Sequence, residues 1–153
     1  MDQKIKAGRY SRITDQLDDL LKKPGNTLSK MATIAAVLHH KMDYFFWTGF
    51  YLLENSDLFA GPYQGPVACQ LLTRNQGVCW SGVNKKETVI VPNVHNFPGH
   101  IACDGRSNSE IVVPVFDDQH NITAVLDVDS KALNSFDETD KEGLEKIVGM
   151  IYR

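Results

Sequence analysis

The 153-residue sequence lacks the features of a membrane, secreted or nucleic-acid-binding protein. It has no run of about eighteen apolar residues, the length that a membrane-spanning helix requires. Its N-terminal segment, MDQKIKAGRYSRITDQ, contains no apolar stretch that could act as a secretory signal. Lysine and arginine form no cluster, and the net charge is −3, which argues against nucleic acid or an anionic membrane as a partner. We therefore expect a cytoplasmic protein whose partner is a small molecule.

Cysteine is scarce, and its spacing excludes one common role. The sequence contains only Cys69, Cys79 and Cys103, with no two closer than ten residues. Zinc sites usually bring cysteines in close pairs such as C-x₂₋₄-C, so we predict no metal. Three cysteines cannot all pair within one chain, and lasting disulfides are rare in a reducing compartment. Two interpretations remain: inert core residues, or a nucleophile with partner thiols.

The apolar spacing predicts helices at both ends of the chain and strands between them. Helical periodicity marks residues 11–23, 27–42 and 134–153, and the last of these helices is expected to begin near Asp137. Two hairpins and a single strand are predicted at residues 44–63, 109–130 and 88–94. Glycines and prolines predict irregular structure from residue 61 to Cys79. The result is an α+β fold with helices on one sheet face, expected as a single domain over residues 1–153.

Reactive and polar residues concentrate in one connection, NFPGHIACDGRSNSEIVVPV. It places Cys103 after the apolar pair Ile101 and Ala102, three residues beyond His100. An inert buried cysteine is one interpretation, because cysteine is among the most buried residue types. The other is a nucleophile whose thiolate is favoured by His100 or by a helix N-terminus.

Acidic side chains form a second candidate group. Asp127 and Asp129 lie two residues apart in TAVLDVDS, so a strand projects both from the same face. Glu110 begins the preceding strand of the same hairpin, and antiparallel pairing can bring its carboxylate close. Three crowded acids would raise at least one pKa and keep a protonated donor near neutral pH. The alternative is a strand end that frays into a polar turn at Asp129 and Ser130.

The order of several segments closely resembles the free methionine-(R)-sulfoxide reductases, a catalytic branch of the GAF-domain fold. These segments are FFWTGFYLL, GPYQGPVACQLL, GVCW, VPNVHNFPGHIACDGRSNSEIVVPV and AVLDVDS. The similarity runs from about Phe45 to Phe136, and ordinary GAF domains do not carry this set of three cysteines. The resemblance implies a GAF-like fold with a mainly antiparallel sheet of about six strands and the N- and C-terminal helices on one face.

The resemblance also implies roles for individual residues. Cys103 corresponds to the catalytic nucleophile, Cys79 to a resolving cysteine and Cys69 to a resolving or recycling cysteine. The implied substrate pocket contains Trp47, Tyr51, Glu110, Asp127 and Asp129. Thioredoxin is the implied external reductant, no cofactor is bound, and the family allows a homodimer through the terminal helices. Trp80 departs from the family pattern, which usually has a small residue there, so the order in which the cysteines resolve is left open.

The expected chemistry follows from the substrate. A thiolate attacks the electrophilic sulfur while the oxygen accepts a proton, and the cysteine becomes a sulfenic acid that a second thiol converts to a disulfide. One carboxyl supplies the proton, an ionised neighbour binds the free α-ammonium, and Trp47 offers an apolar face to the S-methyl group. Two alternatives remain: a non-catalytic GAF module that binds a small ligand, and a thiol redox sensor built on a Cys79–Cys103 pair.

Overall fold

A computed structural model describes residues 1–100 and 103–153. Within these residues the chain forms four α-helices, six strands and a short 3₁₀-helix at Val94–Asn96. The helices are α1 (Gln3–Leu21), α2 (Thr27–Lys41), α3 (Gly77–Lys85) and α4 (Glu138–Val148). The strands are β1 (Trp47–Glu54), β2 (Asp57–Gln64), β3 (Leu71–Leu72), β4 (Val89–Val91), β5 (Ser109–Phe116) and β6 (Ile122–Ser130). None of the helices in these ranges has the length and apolar character needed to cross a membrane.

The six strands form one sheet in the order β3-β2-β1-β6-β5-β4. Every neighbouring pair is antiparallel, and both predicted hairpins are present as β1–β2 and β5–β6. The predicted α+β class and the antiparallel sheet of about six strands are therefore confirmed.

The two sheet faces carry different layers. Helices α1, α2 and α4 cover one face, where their apolar side chains pack on Phe50, Ile111 and Leu126. Helix α3 covers the opposite face with Val78 and other side chains. Successive residues of a strand point to opposite faces, so each central strand supplies both layers. The expected position of the terminal helices is confirmed, whereas the sequence did not indicate a helix on the second face.

The prediction of irregular structure from residue 61 to Cys79 was wrong in three places, since β2 runs to Gln64, as the predicted hairpin to residue 63 implied, β3 occupies Leu71–Leu72 and α3 begins at Gly77. Strand β2 continues to Gln64 because the pairing with β1 shifts register, which leaves Gly61 and Pro62 in a bulge where proline removes no ladder hydrogen bond. At the other end, GVCWSGVNK is helix α3, so Cys79 lies on a helix and not in a loop. Helix α1 also begins earlier than predicted, at Gln3, because the Asp2 side chain accepts a hydrogen bond from the backbone N–H of Lys4 and caps it.

A buried ion pair joins the first helix to the last. The Lys6 ammonium donates to Asp140 Oδ2 over 2.7 Å, and the two side chains are only 4% and 0% exposed. The hydroxyls of Tyr10 and Tyr44 donate to the other carboxylate oxygen over 2.8 and 2.5 Å. Asp140 also accepts from the backbone N–H of Asp137 and completes the N-terminal cap of α4. One carboxylate therefore holds together α1, α4 and the connection between α2 and β1.

We expect Asp140→Asn to lower the free energy of unfolding by about 3–5 kcal/mol, because it removes the nearer and fully buried counter-charge of Lys6 and leaves only the partly exposed Asp137 carboxylate, 3.3 Å away. Urea denaturation measures this loss. Asp18→Asn is the matched control, since Asp18 pairs with Lys22 and Arg153 at the surface, where ion pairs contribute little. A loss in Asp140→Asn no larger than that in Asp18→Asn would show that the ion pair is not a structural anchor.

Candidate active site

Strand register places the three predicted acids together on the sheet face opposite the terminal helices. Glu110 lies directly across from Asp129 between β5 and β6, and Trp47 of β1 flanks Asp129 on the other side. Asp127 lies two residues before Asp129 on the same face, opposite Val112. Strand β6 continues to Ser130, so the fraying turn considered as an alternative does not form.

Two of these acids and one cysteine form a buried cluster. The Cys79 Sγ and one carboxylate oxygen each of Glu110 and Asp127 all lie within 4.8 Å of one another. All three side chains are buried, and Asp127 is 5% exposed. Within residues 1–100 and 103–153, Asp127 Oδ1 has no hydrogen-bond partner. Because an unpaired buried oxygen is unfavourable, the cluster is built to receive a donor or a cation.

Burial raises the pKa of Glu110 well above its ordinary value, and the charges of Asp127 and Asp129 raise it further. Burial also raises the pKa of Asp127, but hydrogen bonds from Glu110 and Cys79 act in the opposite direction. The shared proton therefore rests on Glu110 and is donated to an ionised Asp127. Burial, followed by the charges of Asp127 and Asp104, raises the pKa of Asp129 well above its ordinary value.

The cysteines do not behave alike. Cys69 and Cys103 form a disulfide, with Cys103 exposed and Cys69 half-buried. Cys79 stays a free thiol inside the acid cluster, where burial and then the neighbouring carboxylates raise its pKa. Cys69 is thus the cysteine joined to Cys103 in this structure, and the resolving role of Cys79 stays a prediction. The expected apolar flank of Cys103, Ile101 and Ala102, lies outside the described residues.

The acids, all three cysteines and two aromatic residues surround one region of the second sheet face. A cleft of about 60 Å³ is lined by Cys79, Cys103, the three acids, Trp47 and Tyr51, whereas Cys69 lies beside it through its bond to Cys103. His100 also lines the cleft. Burial, with a smaller contribution from the charge of His95, lowers the pKa of His100, so its imidazole is neutral at neutral pH.

Several lining residues were not predicted from the sequence. They come from the segment assigned as irregular and from positions beside predicted ones, namely Phe46, Val67, Ala68, Leu72, Gln76, Gly77, Val78, Asp104 and Ser107. The available signal was the helical spacing of Val78 with Gly82 and of Cys79 with Val83. Gly77 and Gly82 weaken this signal because glycine has a low helix propensity.

Contacts with neighbouring residues fix the position of the Trp47 indole. Its indole stacks between Tyr51 and Tyr63, with ring centroids 5.7 and 5.2 Å away, and Nε1 donates to the Pro66 carbonyl over 3.0 Å. A methyl group at Gly49 would lie 2.7 Å from Trp47 Cη2 and 2.3 Å from Tyr63 Cβ. Glycine is therefore required at position 49 for the indole to occupy this place.

The layered architecture, with three helices on one sheet face and α3 beside the cleft on the other, is that of a GAF domain. GAF domain-containing protein A of Dictyostelium discoideum is 42% identical over 147 residues, which cover 95% of this chain and 92% of that protein. No protein-family model matches the chain.

Two further relatives define the family more closely. The free methionine-R-sulfoxide reductase of Escherichia coli is 36% identical over 142 residues, covering 93% of this chain and 86% of the relative. The structure of free methionine-R-sulfoxide reductase from Neisseria meningitidis, in complex with its substrate, superposes with a TM-score of 0.92 at 37% identity. This alignment covers 99% of the chain and 89% of the Neisseria protein. The chain belongs to the free methionine-R-sulfoxide reductase family.

The raised pKa of Glu110 predicts a dependence of stability on pH. Its contribution is fully present below the unfolded carboxyl pKa of about 4.3 and is lost as the pH rises through the folded pKa. One such group gives a slope of up to about 1.4 kcal/mol per pH unit. Glu110→Gln keeps a donor for Asp127 and cannot ionise, so we expect its unfolding free energy to fall less steeply between pH 4 and 8, as measured by urea denaturation.

Glu54→Gln is the control for this measurement, because Glu54 is exposed at the end of β1. Its stability curve should run parallel to that of the unmodified protein. The other groups of raised pKa facing Glu110 are Cys79, Asp127, Asp129 and Tyr51. They remain in Glu110→Gln, so the slope should decrease without vanishing. An unchanged slope would contradict a protonated Glu110.

Proposed function

We propose that this protein reduces free L-methionine-(R)-sulfoxide to methionine in the cleft between α3 and the sheet. Membership of the reductase family supports an oxidoreductase that acts on a sulfoxide. The observation that carries the proposal is the Cys69–Cys103 disulfide bordering a cleft lined by three acids, of which Glu110 and Asp127 are buried. A thiol that can be oxidised and a proton donor are the two reagents that sulfoxide reduction requires.

The first step oxidises Cys103. Its thiolate attacks the sulfoxide sulfur, the sulfoxide oxygen takes up a proton, and the oxygen passes to Cys103 as methionine leaves. Methionine sulfoxide gains two electrons, and Cys103 loses two and becomes a sulfenic acid. His100 is the base best suited to remove the thiol proton, because it lines the cleft and burial keeps its imidazole neutral.

The acids divide two tasks between them. Glu110 holds the proton and donates it to the sulfoxide oxygen, since its pKa is raised by burial and by two neighbouring carboxylates. Ionised Asp127, whose Oδ1 has no hydrogen-bond partner in the described chain, accepts the α-ammonium of the substrate together with Asp129. A peptide-bound methionine has no such ammonium, which explains a preference for the free amino acid. The flat indole of Trp47 and the ring of Tyr51 contact the apolar side chain.

The second step forms the disulfide. The Cys69 thiolate attacks the Cys103 sulfur and expels the oxygen as water after protonation, which regenerates the pair seen in the structure. Cys79 is less suited to this attack, because burial raises its pKa and little thiolate is present. An external dithiol, thioredoxin in this proposal, then reopens the disulfide from the exposed Cys103 side. Four expectations stay predictions, namely thioredoxin as the reductant, a cytoplasmic location, a single domain over residues 1–153 and a homodimer.

Both alternative functions lead to different experimental results. A redox sensor built on a Cys79–Cys103 pair requires a disulfide other than the Cys69–Cys103 bond of this structure. A non-catalytic GAF module would bind methionine sulfoxide and release it unchanged. A single-turnover experiment therefore separates all three functions.

We expect reduced protein, mixed with free methionine-R-sulfoxide without external reductant, to release about one methionine and lose two thiols per chain, by the sulfenic acid route. Amino-acid analysis, thiol titration and peptide mapping measure the three quantities, and the mapped disulfide should join Cys69 to Cys103. Binding without release of methionine would leave a ligand-binding module, and faster oxidation by peroxide than by the sulfoxide would leave a sensor.

Three matched cysteine-to-serine variants assign the roles. Cys103→Ser should release no methionine. Cys69→Ser should release one methionine and hold a sulfenic acid that a 1,3-dicarbonyl reagent traps, but it should not turn over with thioredoxin. Cys79→Ser should still form the Cys69–Cys103 disulfide and recycle. Methionine release by Cys103→Ser would disprove the nucleophile, and loss of the disulfide in Cys79→Ser would return the resolving role to Cys79.

A further inference from the structure

The buried cluster of Cys79, Glu110 and Asp127 brings together three donor atoms of a kind that bind metal ions. One thiol sulfur and two carboxylate oxygens lie within 4.8 Å of one another. They come from three separate elements, namely α3, β5 and β6. Because α3 packs directly on β5 and β6, the fold fixes the backbone positions of the three residues.

A second observation is that one carboxylate oxygen of the cluster, Asp127 Oδ1, has no hydrogen-bond partner within the described residues. Asp127 is 5% exposed. The surrounding cleft offers no counter-charge, since none of the described residues that line it is lysine or arginine. A buried carboxylate oxygen in such surroundings attracts a cation that enters from the cleft.

We propose that Cys79, Glu110 and Asp127 bind one thiophilic divalent cation of the Zn²⁺ type. Binding releases the protons of Cys79 and Glu110 to solvent. The resulting thiolate and two carboxylates suit zinc or cadmium better than magnesium or calcium, which take oxygen ligands alone. Tetrahedral zinc places sulfur and oxygen ligands about 3.5 Å apart. The donors lie within 4.8 Å of one another, so the widest pair would have to approach by up to about 1.3 Å on binding. Three protein ligands would leave the fourth position of a tetrahedral ion for water, the arrangement of three-ligand zinc sites.

Sequence spacing could not reveal this site. Zinc motifs are recognised when two ligands lie within a few residues of each other, on one turn or one helix. Here Cys79, Glu110 and Asp127 are far apart in sequence. Cysteine spacing therefore excludes paired-cysteine sites but not a cluster of ligands assembled across a sheet.

The cation would act as a competitor of the substrate. Asp127 is the carboxylate assigned above to the α-ammonium, and Glu110 the one assigned to the proton, so a metal on both removes the two contacts. Metal and methionine sulfoxide would then exclude each other, a consequence that rests on the proposed function. The binding of the metal itself does not depend on that function.

Cadmium titration of the disulfide form tests the site directly. With Cys69 and Cys103 joined, Cys79 is the one thiol in the chain. We expect one Cd²⁺ per chain, with an ultraviolet cadmium–thiolate charge-transfer band that Zn²⁺ abolishes by displacement. Cys79→Ser should lose the band, and Glu110→Gln should keep the thiol but weaken binding on the order of tenfold or more. Asp104→Asn, an exchange of another cleft-lining acid, should bind within a few-fold of the unmodified protein.

Each outcome decides the proposal. A band that persists in Cys79→Ser, no saturable binding, or equal affinity in Glu110→Gln would overturn it. Glu110→Gln keeps all three cysteines, so it tests the site even if Cys79→Ser does not fold. In a separate measurement, Zn²⁺ should raise the methionine sulfoxide concentration needed for methionine release. Failure of release without any metal would refute the proposed function and leave the cadmium result standing.

Discussion

The burial of carboxylates without a counter-charge is the constraint on which the site depends. Glu110, Asp127 and Asp129 share one sheet face, and no lysine or arginine is among the described residues that line the cleft. An isolated buried carboxylate is strongly unfavourable. The structure lessens this penalty by keeping a proton on Glu110 and directing it to Asp127. A site of this kind lacks a positive charge, so it favours a ligand that supplies one.

A second buried acid shows the opposite solution. Asp140 lies on the helix-covered side of the molecule and receives a lysine ammonium and two tyrosine hydroxyls. Its hydrogen-bonding capacity is used within the protein, so it stabilises the fold and is closed to ligands. Asp127 has an oxygen with no such partner in the described chain. The two faces of one sheet therefore separate the acid that holds the fold from the acids that are available for chemistry.

Much of the fold could be predicted because it follows from local patterns. The alternation in β5 and β6 indicated which acids share a face, and the polar run before α4 indicated its cap at Asp137. Helix α3 was missed because Gly77 and Gly82 weaken its helical pattern, and the end of β2 because a bulge accommodates Pro62. The contact of Lys6 with Asp140 spans 134 residues. No local pattern reports such a contact.

Within the site, residue types were predictable and their partners were not. The sequence indicated a reactive Cys103 and an acid group, but a pairing between Cys69 and Cys103 depends on how the connection between β2 and β3 and the connection before β5 meet in space. The same applies to Cys79, which the sequence left as either an inert core residue or a resolving thiol. Its position against two carboxylates arises from the packing of α3 on β5 and β6.

The Cys69–Cys103 bond also closes a covalent ring across 34 positions that includes all of α3 and β4. Closing a ring of this size reduces the freedom of the unfolded chain and stabilises the folded state by about 3–4 kcal/mol. The oxidised protein is then the more resistant to unfolding, and the reduced protein, which is ready to react, is the looser of the two. Each catalytic cycle would pass through both states. The resistance of the α3–β4 segment to unfolding would therefore depend on the supply of reducing equivalents.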